Sequence, residues 1–324
     1  MFEDVLSFFD RHQSFIVTTH DSPDADAVGS ELVMASILKK TGKDFKIING
    51  DPIPASLGFI ENTSILEKWD NEKHSALLEN SAMLILDTSE EFHIGSMRKV
   101  INKVRETFVF DHHEPKPRSR LSGFIDPTAA STAEMAVALA CQLGIDLDSQ
   151  TAAAAYAAIV SDSGFFSYPK TNIRTFKAAM RTLEWGANPN QIYKELVENS
   201  SSAALLLQKQ ALLNLEFHAD RKIAVLTLRR NDFESTGADY EDADHIVNIP
   251  LKSKEIEVSL LLKEKSAGEV RCSLRSKGKV NVSKIAQEFG GGGHVTAAGF
   301  KCSYSMEETI KKLTAVIEDR LNGV

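Results

Sequence analysis

The stretch Ser14–Ser30 reads S-F-I-V-T-T-H-D-S-P-D-A-D-A-V-G-S. Phe15 to Thr19 is apolar and β-branched, the composition of a strand buried on both faces. The run stops at His20, and Pro23 bars continuation of a strand ladder. From Asp26 a helical pattern begins, with Val28, Leu32, Ala35 and Leu38 three or four residues apart. His20, Asp24 and Asp26 therefore fall on a strand-to-helix turn. In a parallel α/β sheet such a turn lies at the carboxyl end of a strand, where ligands bind. Two readings of it compete. One is an Asp-rich turn in which Asp24 or Asp26 caps the helix. The other is a metal site, because a divalent cation relieves the repulsion of clustered carboxylates. Nitrogen and oxygen donors favour Mn²⁺, Zn²⁺ or Fe²⁺ over thiolate-seeking metals.

Outward from this unit, strand and helix patterns alternate. Gly42 ends the first helix and Phe45 to Ile48 reads as a strand. Ala82 to Leu86 is a fully apolar strand ending in Asp87, and a helix pattern follows through Met97, Ile101 and Val104. Thr107 to Phe110 is a strand ending in Asp111-His112-His113. Ser131 or Thr132 caps a helix with Glu134 in its first turn. The alanine-rich run Thr151 to Val160 is helical and ends at Ser161-Asp162-Ser163-Gly164. This alternation implies an α/β fold with a parallel, doubly wound sheet. Trp185 to Ser202 is polar and helical, with Pro189 inside it, and reads as a connector. Beyond it the pattern changes to a smaller α+β unit, with strands at Ile223–Leu228, Ile256–Leu262, Val270–Leu274 and Ala298–Cys302 and helices at Val282–Phe289 and from Met306. The expected organisation is a domain over residues 1–186, a connector over 187–208 and a second domain over 209–324, with an interdomain cleft.

With 324 residues the chain is too long for one ordinary core, and 43% hydrophobic and 25% charged residues are those of a globular protein. Cys141, Cys272 and Cys302 are widely separated and form no disulfide or metal pattern, which fits a reducing cytoplasm. No signal peptide or membrane span is expected. A net charge of −8 argues against charge-driven tracking along long or duplex nucleic acid. A small anion remains a fit partner where local cations overcome the global field.

Four element ends thus deliver metal-competent groups: His20/Asp24/Asp26, Asp87, Asp111-His112-His113 and Asp162. Singly each is weak; together they supply enough ligands for two cations bridged by a carboxylate. H-x-x-x-D-x-D-x-x-G-S, then L-D-T-S, D-H-H and S-D-S-G-F, resembles the motif series of the DHH phosphoesterases. Gly290-Gly291-Gly292-Gly293-His294, preceded by Ser273-Leu274-Arg275-Ser276, resembles the DHHA1 domain. The resemblance covers essentially the whole chain, and its two-domain size is similar to the nanoRNase (oligoribonuclease) and phosphoadenosine-phosphate phosphatase group. It implies two divalent cations, most often Mn²⁺. One would take His20, Asp24 and Asp87, and the other Asp26, Asp87, His112 and Asp162, with Asp87 bridging. It also implies that Asp111 supports His112 and that His113 faces the substrate phosphate, with Asp87 and His113 central to catalysis. A water shared by two cations ionises near neutral pH and attacks phosphorus in line.

In the second domain the glycines lack a Cβ, so their N–H groups are open to an anion. His294 adds a donor, and Arg271 and Arg275 lie upstream, where arginine pairs bidentately with phosphate. The expected substrate-binding set is Arg271, Arg275, Ser276, Gly291, Gly292, Gly293 and His294. The implied activity is hydrolysis of short oligoribonucleotides or dinucleotides to mononucleotides, and removal of the 3′-phosphate from phosphoadenosine phosphate. The rivals are a cyclic- or linear-dinucleotide phosphodiesterase, a RecJ-like exonuclease, which normally carries further nucleic-acid domains, and a manganese pyrophosphatase, which normally lacks the glycine-histidine loop. A non-catalytic nucleotide sensor is disfavoured by intact ligands at every motif. The oligomeric state is open, a homodimer included.

Overall fold

The computed structural model describes residues 1–114, 120–266, 269–293 and 295–323. It divides into two compact units, Met1–Glu198 and Asn199–Val324.

The first unit runs α1 (Glu3–Arg11), β1 (Ser14–Thr18), α2 (Ala25–Lys40), β2 (Asp44–Asn49), β3 (Leu66–Lys68), α3 (Asn71–Leu78), β4 (Ala82–Leu86), β5 (Thr107–Asp111), β6 (Gly123–Ile125), α4 (Thr132–Gln142), α5 (Ser149–Asp162), α6 (Ile173–Glu184) and α7 (Pro189–Val197). Its six strands form one sheet in the order β3-β2-β1-β4-β5-β6, every neighbouring pair parallel. This is the doubly wound order, and the chain reverses direction across the sheet between β1 and β4. The carboxyl ends of those two strands border the crevice where α/β proteins bind ligands. The register aligns Phe15 with Ala82 and Thr18 with Ile85, so the turns leaving β1 and β4 start level with one another.

Strand alternation divides the core in two. Phe15, Val17, Leu84 and Leu86 pack with α1, α2, α4 and α5. Ile16, Met83, Ile85 and Val109 pack on the opposite face, against Leu78 and the segment Ile94–Ile101. That segment departs from the expected helix. It forms three 3₁₀ turns, Glu91–His93, Gly95–Lys99 and Ile101–Lys103. Its buried residues include Ile94, Met97 and Val100, spaced three apart as the 3₁₀ period has them, with Ile101 beside the last. Pro189 also departs from expectation: it is not interior but the first residue of α7, where its missing N–H costs nothing. The α7 helix packs on α5 through Ile192 against Ala152, Ala157 and Ala187.

The α2 helix, expected to bury one face, is buried almost all round from Ala25 to Leu38. Its close neighbour is α5. A Cβ on Gly29 would lie 2.6 Å from Ala158 Cβ and 2.7 Å from the Ala154 carbonyl oxygen, so only glycine permits this approach.

The second unit runs α8 (Ser202–Leu213), β7 (Glu216–His218), β8 (Ile223–Leu228), α9 (Arg230–Thr236), β9 (Val258–Ser266), β10 (Glu269–Ser276), α10 (Val282–Glu288), β11 (Gly292–Gly293), β12 (Ala297–Cys302) and α11 (Met306–Leu321). Its sheet has the order β11-β12-β10-β9-β8-β7 and is mixed: β8 and β9 are parallel, the other pairs antiparallel. One face buries Val225, Leu260, Cys272 and Phe300 against α10 and α11. The other buries Leu226, Leu228 and Leu261 against Leu207 and Ala211 of α8.

Gly29→Ala should lower stability by about 1–3 kcal/mol, because the added methyl meets backbone as well as side chain in a packed core. Urea denaturation measures this; a variant as stable as the parent would mean that α2 and α5 separate at no cost.

Candidate metal centre

The site forms where four chain segments reach the carboxyl edge of the parallel sheet. His20 follows β1, and Asp87 follows β4. Asp111 ends β5 with His112 and His113 beyond it, and Asp162 ends α5. The capping reading of the first turn holds, and the same residues lie in a group that could hold a metal ion. Asp24 is the N-cap of α2, accepting from the N–H groups of Asp26 and Ala27. It also lies 3.8 Å from His20 Nε2.

Three overlapping groups of donor atoms could each hold a metal ion: His20/Asp24/Asp87, Asp26/His112/Asp162 and Asp87/His112/His113. His20 Nε2 stands 3.4 Å from Asp87 Oδ2. His112 Nε2 stands 3.2 Å from Asp162 Oδ2, 3.5 Å from Asp87 Oδ1 and 3.9 Å from Asp26 Oδ2. Asp87 thus belongs to two groups and offers one oxygen toward each side. Its backbone is left-handed, at φ 59°, a conformation uncommon outside glycine that clusters at functional turns.

Burial and charge act together here. Burial raises the Asp26 carboxyl well above its usual range, and Asp87 and Asp162 reinforce the effect. Burial, with Asp87 and Asp24, pushes Asp162 up to about 7. Burial alone would lower the His20 imidazole, but Asp24 and Asp87 outweigh it and drive it up to about 11. His112 shifts downward, mainly through burial, so it is a neutral imidazole suited to ligation. The donor set is nitrogen and carboxylate oxygen with no thiolate, the four acids Asp24, Asp26, Asp87 and Asp162 with the three imidazoles His20, His112 and His113. These residues fit a hard or borderline divalent cation.

Asp111 does not support His112. Its Oδ1 accepts from the N–H of His113 at 3.1 Å and pairs with His113 Nδ1 at 2.7 Å. The short Asp side chain reaches two residues ahead more readily than to its direct neighbour. His112 instead pairs its Nδ1 with the Ala129 carbonyl at 3.3 Å. Against burial, which would lower it, Asp111 and Asp87 raise the His113 imidazole, and its side chain is 42% exposed.

The sequence reading missed the residues that hold the ligands. Asp26 accepts from the N–H groups of Thr132 and Ala133 at 2.7 and 2.9 Å, so it sits on the N-terminus of α4. Thr132 Oγ1 donates to Asp87 Oδ1 at 2.9 Å. The pair Ser131-Thr132 did signal a helix start; its partner across the sheet had no local mark.

In the second unit, Arg271 and Arg275 project from the face of β10 opposite the core residues Cys272 and Leu274, and Arg271 is exposed. Ser276 does not join them: it is buried and donates to the Val280 carbonyl at 2.7 Å. The glycine run is less open than expected. The N–H groups of Gly290 and Gly291 donate to Gln287 and Ala286 at the end of α10, while Gly292 and Gly293 pair with β12. A Cβ on Gly291 would lie 2.2 Å from the Gly299 oxygen, so close strand packing by itself requires glycine there. His294 lies outside the described residues.

A carboxylate- and imidazole-rich centre at the switch point of a doubly wound sheet is the donor set of a divalent-cation site. Residues 14–159 match the DHH family N-terminal domain and residues 220–323 the DHHA1 domain, and the chain belongs to the DHH/DHHA1 phosphoesterase family. It is similar to the bifunctional oligoribonuclease and PAP phosphatase NrnA of Thermus thermophilus, at 30% identity over 87% of this chain and 82% of that protein. The protein of that name from Bacillus subtilis is 26% identical over 92% and 91%. The cyclic-di-AMP phosphodiesterase GdpP of B. subtilis is 27% identical over 95% of this chain but 48% of its own length. Among solved structures, an exopolyphosphatase-related protein from Bacteroides fragilis superposes with a TM-score of 0.89, at 26% identity over 98% of this chain and 96% of that one.

Removing metal with a chelator should lower the melting temperature by several degrees more at pH 8 than at pH 6. In the metal-free chain the raised carboxyl of Asp162 contributes stability that is complete below its ordinary range and lost as pH rises through about 7. Bound metal acts in the opposite sense, since its ligands must be ionised. Thermal melts with and without chelator at both pH values test this; an equal drop at both would oppose it.

Proposed function

We propose that this chain hydrolyses short oligoribonucleotides and dinucleotides to mononucleotides, and removes the 3′-phosphate of phosphoadenosine phosphate. The observation that carries the reading is the convergence of three ligand groups on Asp87 and His112. The names of the NrnA relatives, similar over nearly the whole chain, support the substrate class. We assign His20, Asp24 and Asp87 to one divalent cation and Asp26, Asp87, His112 and Asp162 to a second, with Mn²⁺ the ion best suited to this donor set. Such ions supply an ionised water near neutral pH and neutralise charge on the phosphate. Asp111 orients His113, which donates to the phosphate as charge develops on it. Arg271 and Arg275 hold a substrate phosphate. The net charge of −8 offers no general attraction to a polyanion, which supports short substrates over long single strands. Free thiols at all three cysteines suit the cytoplasm.

The deciding assay is purified protein with Mn²⁺ against a dinucleotide, a five-mer, long single-stranded RNA, cyclic dinucleotides, phosphoadenosine phosphate and pyrophosphate. Equal kcat/KM on long RNA and on dinucleotide would refute the short-substrate reading, and preference for a cyclic dinucleotide would favour the GdpP-like alternative. In the same assay Asp87→Ala should abolish turnover and weaken both ions. His113→Ala should keep its metals and lose about 10²–10³ in kcat, the usual loss for one transition-state donor. A fragment ending at Glu198, which keeps α7, should fold and bind metal yet lose nearly all dinucleotide hydrolysis. A fragment as active as the full chain would show that the second unit does not hold substrate.

A further inference from the structure

Beneath the metal centre lies a chain of buried polar groups that touches no ligand side chain. Asn49, the last residue of β2, accepts through Oδ1 from the Thr19 N–H at 3.1 Å and from Thr18 Oγ1 at 3.3 Å. Its Nδ2 donates to Glu31 Oε2 of α2 at 3.0 Å. Thr19 Oγ1 in turn donates to the Leu86 carbonyl at 3.0 Å. Thr18, Thr19, Glu31 and Asn49 are each 0–2% exposed. Buried polar groups are mostly hydrogen-bonded, and a network of them holds its members in one geometry; here only Glu31 Oε1 has no hydrogen-bond partner among the described residues of the network.

The two ends of this chain are the significant feature. Thr19 is joined by one peptide bond to His20, and Leu86 by one peptide bond to Asp87. The bond from Thr19 Oγ1 to the Leu86 carbonyl fixes the peptide on which Asp87 turns into its left-handed conformation, and Asn49 fixes the Thr18–Thr19 peptide, one residue before His20. We infer that the Glu31–Asn49–Thr19 network is a positioning device that sets the spacing of His20 and Asp87, and through it the affinity of the ion held by His20, Asp24 and Asp87. The inference rests on the assignment of that ion under the proposed function. Groups that orient metal ligands from behind typically change affinity by about 10–100-fold when removed. Glu31 fits such a role. Burial pushes its carboxyl up to about 8, so at neutral pH it is a neutral partner for Asn49 and brings no further charge beneath the acids.

The test is Mn²⁺ titration by calorimetry and electron paramagnetic resonance on the full chain, beside the melting temperature of each metal-free variant. Thr19→Val keeps the side-chain shape and removes only the hydroxyl. It should weaken one class of site by about 10–100-fold and leave the other within about threefold. The weakened class should be the one lost in His20→Ala. Thr19→Ser, which restores the hydroxyl, should recover the affinity, and Asn49→Ala should behave as Thr19→Val does. Unchanged Mn²⁺ affinity in Thr19→Val, whatever its melting temperature, would overturn the inference, as would equal weakening of both classes. Should Asn49→Ala fail to fold, the Thr19 pair decides alone. A parent protein that binds no Mn²⁺ would instead overturn the metal assignment itself.

Discussion

Four carboxylates, those of Asp24, Asp26, Asp87 and Asp162, are drawn toward the end of one sheet, and their mutual repulsion is the constraint the first unit must satisfy. Each has a distinct counterweight. Asp24 spends its lone pairs on the first turn of α2. Asp26 takes two N–H groups from α4. Asp87 takes the Thr132 hydroxyl, and Asp162 faces His112. The parallel sheet makes this possible, because every strand delivers its carboxyl end to the same edge and the helices that follow deliver their N-termini there. A centre of this kind is assembled from residues at or close to the ends of regular structure.

Much of this was legible in the sequence because it is local. The strand Ala82–Leu86 carries its own boundaries in five apolar residues ended by an acid, and the Pro23 break marks the turn at which His20 leaves β1. The α2 helix was placed correctly but its environment was not. Its apolar spacing suggests one buried face, whereas Gly29 lets α5 approach so closely that polar positions such as Ser30 and Glu31 are enclosed as well. The segment after Asp87 was misread because Met97, Ile101 and Val104, four and three apart, match an α-helical face, whereas packing against β4 selects the tighter 3₁₀ turns. The partner of Asp111 was misassigned because adjacency in sequence does not tell which way a side chain turns at the end of a strand.

The second unit teaches the converse lesson. Glycines read as a cradle for an anion turn out to have a packing reason of their own, since β12 lies against them and two of their N–H groups end a helix. Arg271 and Arg275 retain an open face of β10, while Ser276, one residue on, points into the core. Alternation along a strand separates neighbours in sequence more decisively than a motif joins them.

The contact between Asp26 and the start of α4 bears on the order of events in biogenesis. Because two backbone N–H groups already hold that carboxylate, the helix it caps can form, and the sheet close around it, while no cation is present. Folding is therefore not made to wait for an ion, as it is in small domains that are unstructured without zinc. The folded chain therefore presents its donor set before any ion is bound.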